Sequence, residues 1–239
     1  MRARRGLHGT VVDELGSQIV SGAIPEGTVL VPDELCERYG VSRTVVRETL
    51  RVLEAKGLLS ARQNVGTRVH GSSDWDVLDH DVILWRIRSS DYAAVTRELL
   101  EMRSAVEPHA AGLAARRADE TGVRELREAY AAMVEAAGRG DVGAWTSADI
   151  VFHSALLRAS GNPMIAQLSK TVAAALEARS GEVAVEGISP HAVDMHGALV
   201  DAVSSGDAVA AQMRMEQLLG EAGDQMATLM DRLDRAQTG

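Results

Sequence analysis

Three segments of this chain place ionisable side chains on otherwise apolar helical faces. In DIVFHSALLRASGN, residues 149–162, Asp149 and His153 stand one turn apart beside Phe152 and Leu156. In SPHAVDMHGALVDAVSSGD, His196 shares a face with Ala192, Leu199, Val200 and Val203. In ELLEMRSAVEPHAAGL, Arg103 recurs at steps of three and four with Leu99, Val106, Ala110 and Leu113, and Glu107 follows one turn later, placed to pair with it. Such steps put side chains on one side of a helix. A charge buried there is costly unless it is paired or coordinates an ion. One inward histidine is most simply a core residue bonded to a backbone carbonyl. Three helices that aim ionisable groups at one interior point to a site.

Several chemistries suit this set. Asp149, His153 and His196 offer two imidazoles and one carboxylate, which fits zinc, nickel, manganese or another first-row divalent ion and leaves coordination positions open. Arg103 presents a planar fork for a carboxylate. An open metal beside an arginine describes a pocket for a small organic acid, and a hydroxy acid can chelate the metal through its carboxylate and hydroxyl together. The alternative is a metal-dependent enzyme with Glu107 as general base, although no catalytic signature accompanies the ligands. A third option is a regulator whose metal is structural or is itself the signal.

A second cluster lies upstream, in VSRTVVRETLRVLEAKGLL. Ser42 is an N-cap, Val46, Leu50 and Leu53 form an inner stripe, and Gly57 closes the helix. Arg43, Thr44, Arg47 and Arg51 then occupy the first turns and one exposed side. A recognition helix needs long donors at its N-terminal end, because that end enters the major groove. Arginine can bond a guanine edge through two hydrogens at once. Arg62 and Arg68 flank a ribbon, LSARQNVGTRV, placed to meet phosphates or the minor groove.

The elements that must position these groups follow from periodicity and turn chemistry. A first helix carries Val11, Leu15, Ile19 and Val20 and ends at Gly22; DELCERYG is a second helix stopped by Gly40. With the arginine-bearing helix and the ribbon they make a winged helix-turn-helix. HGSSDWDVLDHD is polar and breaks at Gly71-Ser72-Ser73, which sets domains of 1–72 and 73–239. A short apolar helix, DVILWRI, follows, and Trp75 and Trp85 are expected to cover one domain with the other. From Tyr92 onward six or seven helical segments succeed one another. The fold class is mainly α: a winged helix-turn-helix followed by an antiparallel helical bundle.

Bulk properties agree. The 239 residues are 46% hydrophobic but only 3% aromatic, so aliphatic and alanine-rich packing must fill the core. Cys36 is the one cysteine, which excludes a disulfide framework. The net charge of −9 is uneven: ten Arg and Lys against eight Asp and Glu up to residue 70, and fifteen against twenty-six beyond it. That asymmetry predicts modules with different partners. The basic N-terminus has no apolar segment after it and no apolar run reaches membrane-span length, so a cytoplasmic protein with no membrane partner is expected.

The segment GVSRTVVRETLRVLEAKGLL, followed by GTRV, resembles the signature of the GntR family of bacterial transcription regulators. The resemblance implies double-stranded operator DNA as partner, a homodimer, and Arg43, Thr44 and Arg47 as main contacts with the wing residues Gln63, Asn64 and Gly66 nearby. Val45 stands where proline is common in that signature. ELLEMRSAVEPHAAGLAARRA, ADIVFHSALLRASGNP and His196 resemble the FCD ligand-binding domain of the FadR-type branch. Many such domains hold a metal with one Asp and three His facing an effector carboxylate. Asp149, His153 and His196 match the first three positions, and Leu218 stands at the fourth. The resemblance therefore leaves three uses open: a three-ligand metal site completed by effector or water, a metal bound only with effector, or hydrogen-bonding groups alone. WDVLDHDVILW and SQIVSGAIPEG resemble the sugar-acid, galactonate-type regulators of the branch, which implies a repressor.

Overall fold

The computed structural model describes residues 6–62, 66–89 and 92–237; the expected wing contacts Gln63 and Asn64 lie outside them. Packing divides the chain into two compact units, Met1–Val95 and Thr96–Gly239.

The first unit holds helices α1 (Leu7–Val20), α2 (Pro32–Tyr39), α3 (Arg43–Ala55) and α4 (His80–Arg88) and strands β1 (Val29–Leu30), β2 (Leu59–Arg62) and β3 (Gly66–Val69). The expected ribbon is the β2–β3 pair, antiparallel with Ala61 opposite Thr67. A third strand, β1, pairs with the other edge of β3, giving the order β1-β3-β2. Its two residues are too few to show alternation in the sequence. Gly66 begins β3 at φ +94, and a Cβ there would come within 2.9 Å of the Val29 side chain. The glycine thus lets β1 approach.

Ser42 caps α3 by accepting a hydrogen bond from the Val45 amide at 3.4 Å, and Val46, Thr49, Leu50 and Leu53 form its buried face. Lys56, just past the end of α3, bonds both carboxylate oxygens of Asp79 at 2.7 Å. Asp79 in turn caps α4 through the amides of Asp81 and Val82.

Trp75 and Trp85, expected to cover one domain with the other, are instead part of this unit's own core. The reason is close fit. Trp85 is 1% exposed, its indole N–H donates to Asp13 at 2.8 Å, and its ring crosses α1 at Gly16. A Cβ at Gly16 would lie 2.4 Å from that ring. Residues 73–89, placed in the second domain by the Gly71-Ser72-Ser73 break, fall in the first unit.

The second unit is helical: α5 (Tyr92–Arg117), whose first turn belongs to the first unit, α6 (Glu120–Arg139), α7 (Val142–Ala159), α8 (Pro163–Gln167), α9 (Ser169–Glu186), α10 (Pro190–Ser204) and α11 (Ala208–Gln237). The segment PMIAQLSKTVAAALEARSG, read as one helix, is broken at Leu168 into α8 and α9. Side-chain caps start most of these helices: Asp119, Asp141, Asn162 and Ser189 each accept from a first-turn amide. Helix α7 packs between α6 and α9, and α10 lies on α6 and α11. The core is aliphatic and alanine-rich, with Trp145 and Phe152 as its large rings. No helix among the described residues is long and apolar enough to cross a membrane.

Candidate effector and DNA sites

Helix α7 buries Trp145, Ala148, Phe152, His153 and Leu156, and α10 buries Met195, His196, Leu199, Val200 and Val203. The periodicity that builds the core thus carries both histidines inward. Asp149 lies one turn before His153, with its side chain 15% exposed. Asp149 Oδ1 is 3.3 Å from His153 Nε2 and 3.2 Å from His196 Nε2. One donor atom from each of the three lies within 4.8 Å of the others.

The other ring nitrogens decide what those atoms offer. His153 Nδ1 stands 2.5 Å from Glu107 Oε2, and His196 Nδ1 stands 2.6 Å from the Ala192 carbonyl. Both acceptors lack a proton, so each Nδ1 donates. A neutral imidazole then turns the lone pair of Nε2 toward Asp149. Two lone pairs and a carboxylate oxygen converge without a hydrogen between them. Asp149 Oδ1 and His196 Nε2 have no hydrogen-bond partner among the described residues. Arg103 Nη2 is 3.4 Å from His153 Nε2, so the atoms left without a donor are Asp149 Oδ1 and His196 Nε2, a buried pair of acceptors that a cation or an extra proton would satisfy. The donor set and the oriented outer nitrogens fit a divalent metal ion.

Without an ion, a proton serves. Burial alone would push the His153 imidazole down, but the charges of Glu107 and Asp149 outweigh it and lift it from 6.5 to about 9. Burial would raise Asp149, but both histidines hold it well below the usual carboxylate range.

Arg103 and Glu107 are buried together, at 2% and 0% exposure. Arg103 Nε donates to Glu107 Oε1 at 2.6 Å, and its Nη2 reaches Oε2 at 3.4 Å. Burial is opposed by Arg103 and His153, which hold Glu107 at about 2. Glu107 therefore remains ionised and fully engaged. The alternative of Glu107 as general base fails on this geometry, because both its oxygens are already bonded within the core. The same pair occupies the Nε–Nη2 edge of Arg103, the residue expected to offer a fork to a carboxylate, and Arg103 also lines the cavity over Asp149, His153 and His196.

A cavity of about 190 Å³ opens over Asp149, His153 and His196, bordered on the α11 side by Leu218. It is smaller than the roughly 300–1,000 Å³ typical of drug-sized ligands. Arg179 on α9, Gln225 on α11, Thr146 and Ser189 add polar groups to its wall. Sequence reasoning missed these four. Arg179 lies three residues after Leu176 and seven after Val172, both buried, so the helical stripe of α9 was the available signal.

In the first unit, Arg43, Thr44, Arg47 and Arg51 are exposed on α3. Arg43 pairs with Asp33 at 3.0 Å, and Arg51 pairs with Glu48 at 3.0 Å. Such exposed pairs contribute little, so both arginines can exchange them for a new partner. Arg68 on β3 is exposed nearby, and Arg62 ends β2.

Residues 7–69 match the family described as bacterial regulatory proteins, gntR family, and residues 98–221 match the FCD domain. The chain is 33% identical over 205 residues to the galactonate operon transcriptional repressor of Escherichia coli, covering 84% of this chain and 89% of that one. It is 30% identical over 201 residues to the probable D-xylose utilization operon transcriptional repressor of Paenarthrobacter nicotinovorans, covering 82% and 78%. Among solved structures, the Listeria monocytogenes regulator Lar aligns over 95% of this chain and all of its own, with a TM-score of 0.66 at 19% identity, which speaks to the fold.

Proposed function

Because the chain belongs to the gntR family of bacterial regulatory proteins and carries an FCD domain, we propose that it is a repressor released from its operator by a small hydroxy acid bound in the helical unit. The family makes it a DNA-binding transcriptional regulator; its relatives are regulators, not enzymes. The winged part within residues 1–72 reads DNA, with Arg43, Thr44 and Arg47 toward base edges and Arg51 and Arg68 toward phosphates. A homodimer presents two such helices to a near-palindromic operator.

The observation that carries the effector reading is the convergence of Asp149 Oδ1, His153 Nε2 and His196 Nε2 on one cavity, with Asp149 Oδ1 and His196 Nε2 lacking a hydrogen-bond partner among the described residues. Those three residues would hold a zinc, nickel or manganese ion. When bound, the ion supplies a Lewis-acidic point for ligand oxygens. Glu107 and the Ala192 carbonyl orient the two imidazoles, and Leu218 withholds a fourth protein ligand. The effector's own oxygens therefore complete the shell, and metal and acid bind as a unit. The name of the galactonate-operon relative favours a sugar acid. Binding shifts operator affinity only by favouring one arrangement of the protein over another.

The test is operator binding by fluorescence anisotropy against a panel of sugar acids and short hydroxy acids, each with and without manganese. The proposal predicts an acid that weakens operator binding only when the metal is present. An operator affinity that no acid alters would overturn it.

A further inference from the structure

We propose that Asp33 is a specificity-determining residue of the DNA-binding unit: it grips the side edge of Arg43 and turns the end edge to a guanine. The inference rests on the DNA-reading role given above to Arg43 and names the base that this arginine selects. Both partners stand at fixed helix starts. Pro32 opens α2 at its first position, where its set backbone angle suits the helix, and Leu35 anchors that helix in the core. Arg43 opens α3 directly after the Ser42 cap. Asp33 and Arg43, ten positions apart, then meet twice: Arg43 Nε lies 3.0 Å from Asp33 Oδ1, and Nη2 donates to Oδ2 at 3.1 Å. The other arginines of α3 have no such clamp. Arg51 has one bond, from Nη1 to Glu48 on its own helix. Arg47 Nε is 3.8 Å from the same carboxylate, too far for a hydrogen bond.

The edge that Asp33 takes decides what Arg43 can read. A guanidinium carries its N–H groups as a rigid, planar fork. Pairing through Nε and Nη2 leaves a parallel Nη1–H and Nη2–H at the tip. Both side chains are exposed, at 81% and 64%, so the pair adds little stability. It does set direction, because a bidentate bond fixes the plane of the fork as well as its distance. Guanine presents two acceptors, O6 and N7, along its major-groove edge, and the two tip hydrogens match them. Adenine presents a donor beside its acceptor and opposes one of the two. Arg43 therefore gains the base without giving up Asp33. The carboxylate also offsets the charge of Arg43 and repels nearby phosphates. Asp33 thus lowers affinity for DNA of any sequence while it sharpens the choice of base.

The experiment is selection from a pool of duplexes with a randomised core by the full-length, effector-free protein, on wild type, Asp33→Ala and Arg43→Ala, with the melting temperature of each. Wild type is expected to select guanine at one position of each half-site. Arg43→Ala loses the preference at that position. Asp33→Ala keeps the wild-type melting temperature and binds a random-sequence duplex as tightly as wild type or more tightly. Its guanine preference at the same position falls at least about fivefold, the lower bound for one bidentate arginine–base contact. A wild-type guanine preference in Asp33→Ala overturns the assignment and leaves the DNA-reading unit standing. A loss spread evenly over all positions, or retention of the preference by Arg43→Ala, overturns it as well. Selection of no sequence by wild type overturns both the assignment and the reading it rests on.

Discussion

His153 Nδ1 lies 2.5 Å from Glu107 Oε2, in a pair where both side chains are 1% exposed. This contact fixes the imidazole so that its other nitrogen faces Asp149 and His196. Glu107 also anchors Arg103, so one carboxylate links α5 to the ligand-bearing face of α7. Glu107→Gln should therefore weaken divalent-metal binding about 10- to 100-fold, the usual effect of removing such an orienting partner. It should also destabilise the fold by about 3–5 kcal/mol, because Arg103 is left buried without its counter-charge. Competition with a chelating dye and thermal denaturation measure the two effects. Unchanged metal affinity would remove Glu107 from the site.

The metal-free protein should show a distinctive pH profile. His153 rises on folding from 6.5 to about 9, so its stabilising contribution is complete below pH 6.5 and disappears as pH climbs through about 9. Glu107 falls from 4.5 to about 2, so its contribution is present above pH 4.5 and is lost as pH drops through about 2. In chelator, the melting temperature should hold between pH 4.5 and 6.5 and decline toward pH 9. A bound ion takes the proton's place on His153 and should flatten that decline. A flat profile in chelator would contradict the protonated state assigned to His153.

Leu218 borders the cavity on its α11 side, and on the proposed reading it stands in place of a fourth ligand. Leu218→His should raise acid-free metal affinity by on the order of tenfold or more, since a protein nitrogen replaces a ligand oxygen. The acid's effect on metal affinity should shrink in parallel. A variant with wild-type metal affinity in the absence of acid would show that α11 does not face the ion.

Gly16 offers a check on the DNA-binding unit that separates two opposed effects. Helix propensity alone predicts that Gly16→Ala stabilises α1 by about 1 kcal/mol. The Trp85 ring, 2.4 Å from the added Cβ, reverses the sign, and overpacking of this kind costs about 1–3 kcal/mol. Melting temperature should therefore fall, and Trp85→Phe in the Gly16→Ala background should recover part of the loss. An increase on Gly16→Ala would mean that Trp85 yields freely.

The residues that were legible in the sequence share one property: their placement follows from helical period. Val46, Leu50 and Leu53 turn inward and leave Arg43 and Arg47 outside, and the same rule carries His153 and His196 into one interior. What escaped depends on tertiary contact. Strand β1 has two residues and exists because β3 offers it an edge. Trp85 looked like interdomain cover because nothing local reveals that Gly16, sixty-nine positions earlier, makes room for it. Glu107 was matched correctly to Arg103 at i+4, but its second partner comes from α7 and has no sequence spacing. Arg179 and Gln225 meet across 46 positions, which no periodicity connects.

The central claim is that an acid bound at Asp149, His153 and His196 controls operator affinity. The most direct measurement compares wild type with Asp149→Asn in operator-binding anisotropy, with manganese and an acid that binds wild type. The account predicts that the acid weakens operator binding by wild type and leaves Asp149→Asn, with intact Arg43 and Arg47, bound as tightly as in its absence. An equal response from both proteins would contradict it.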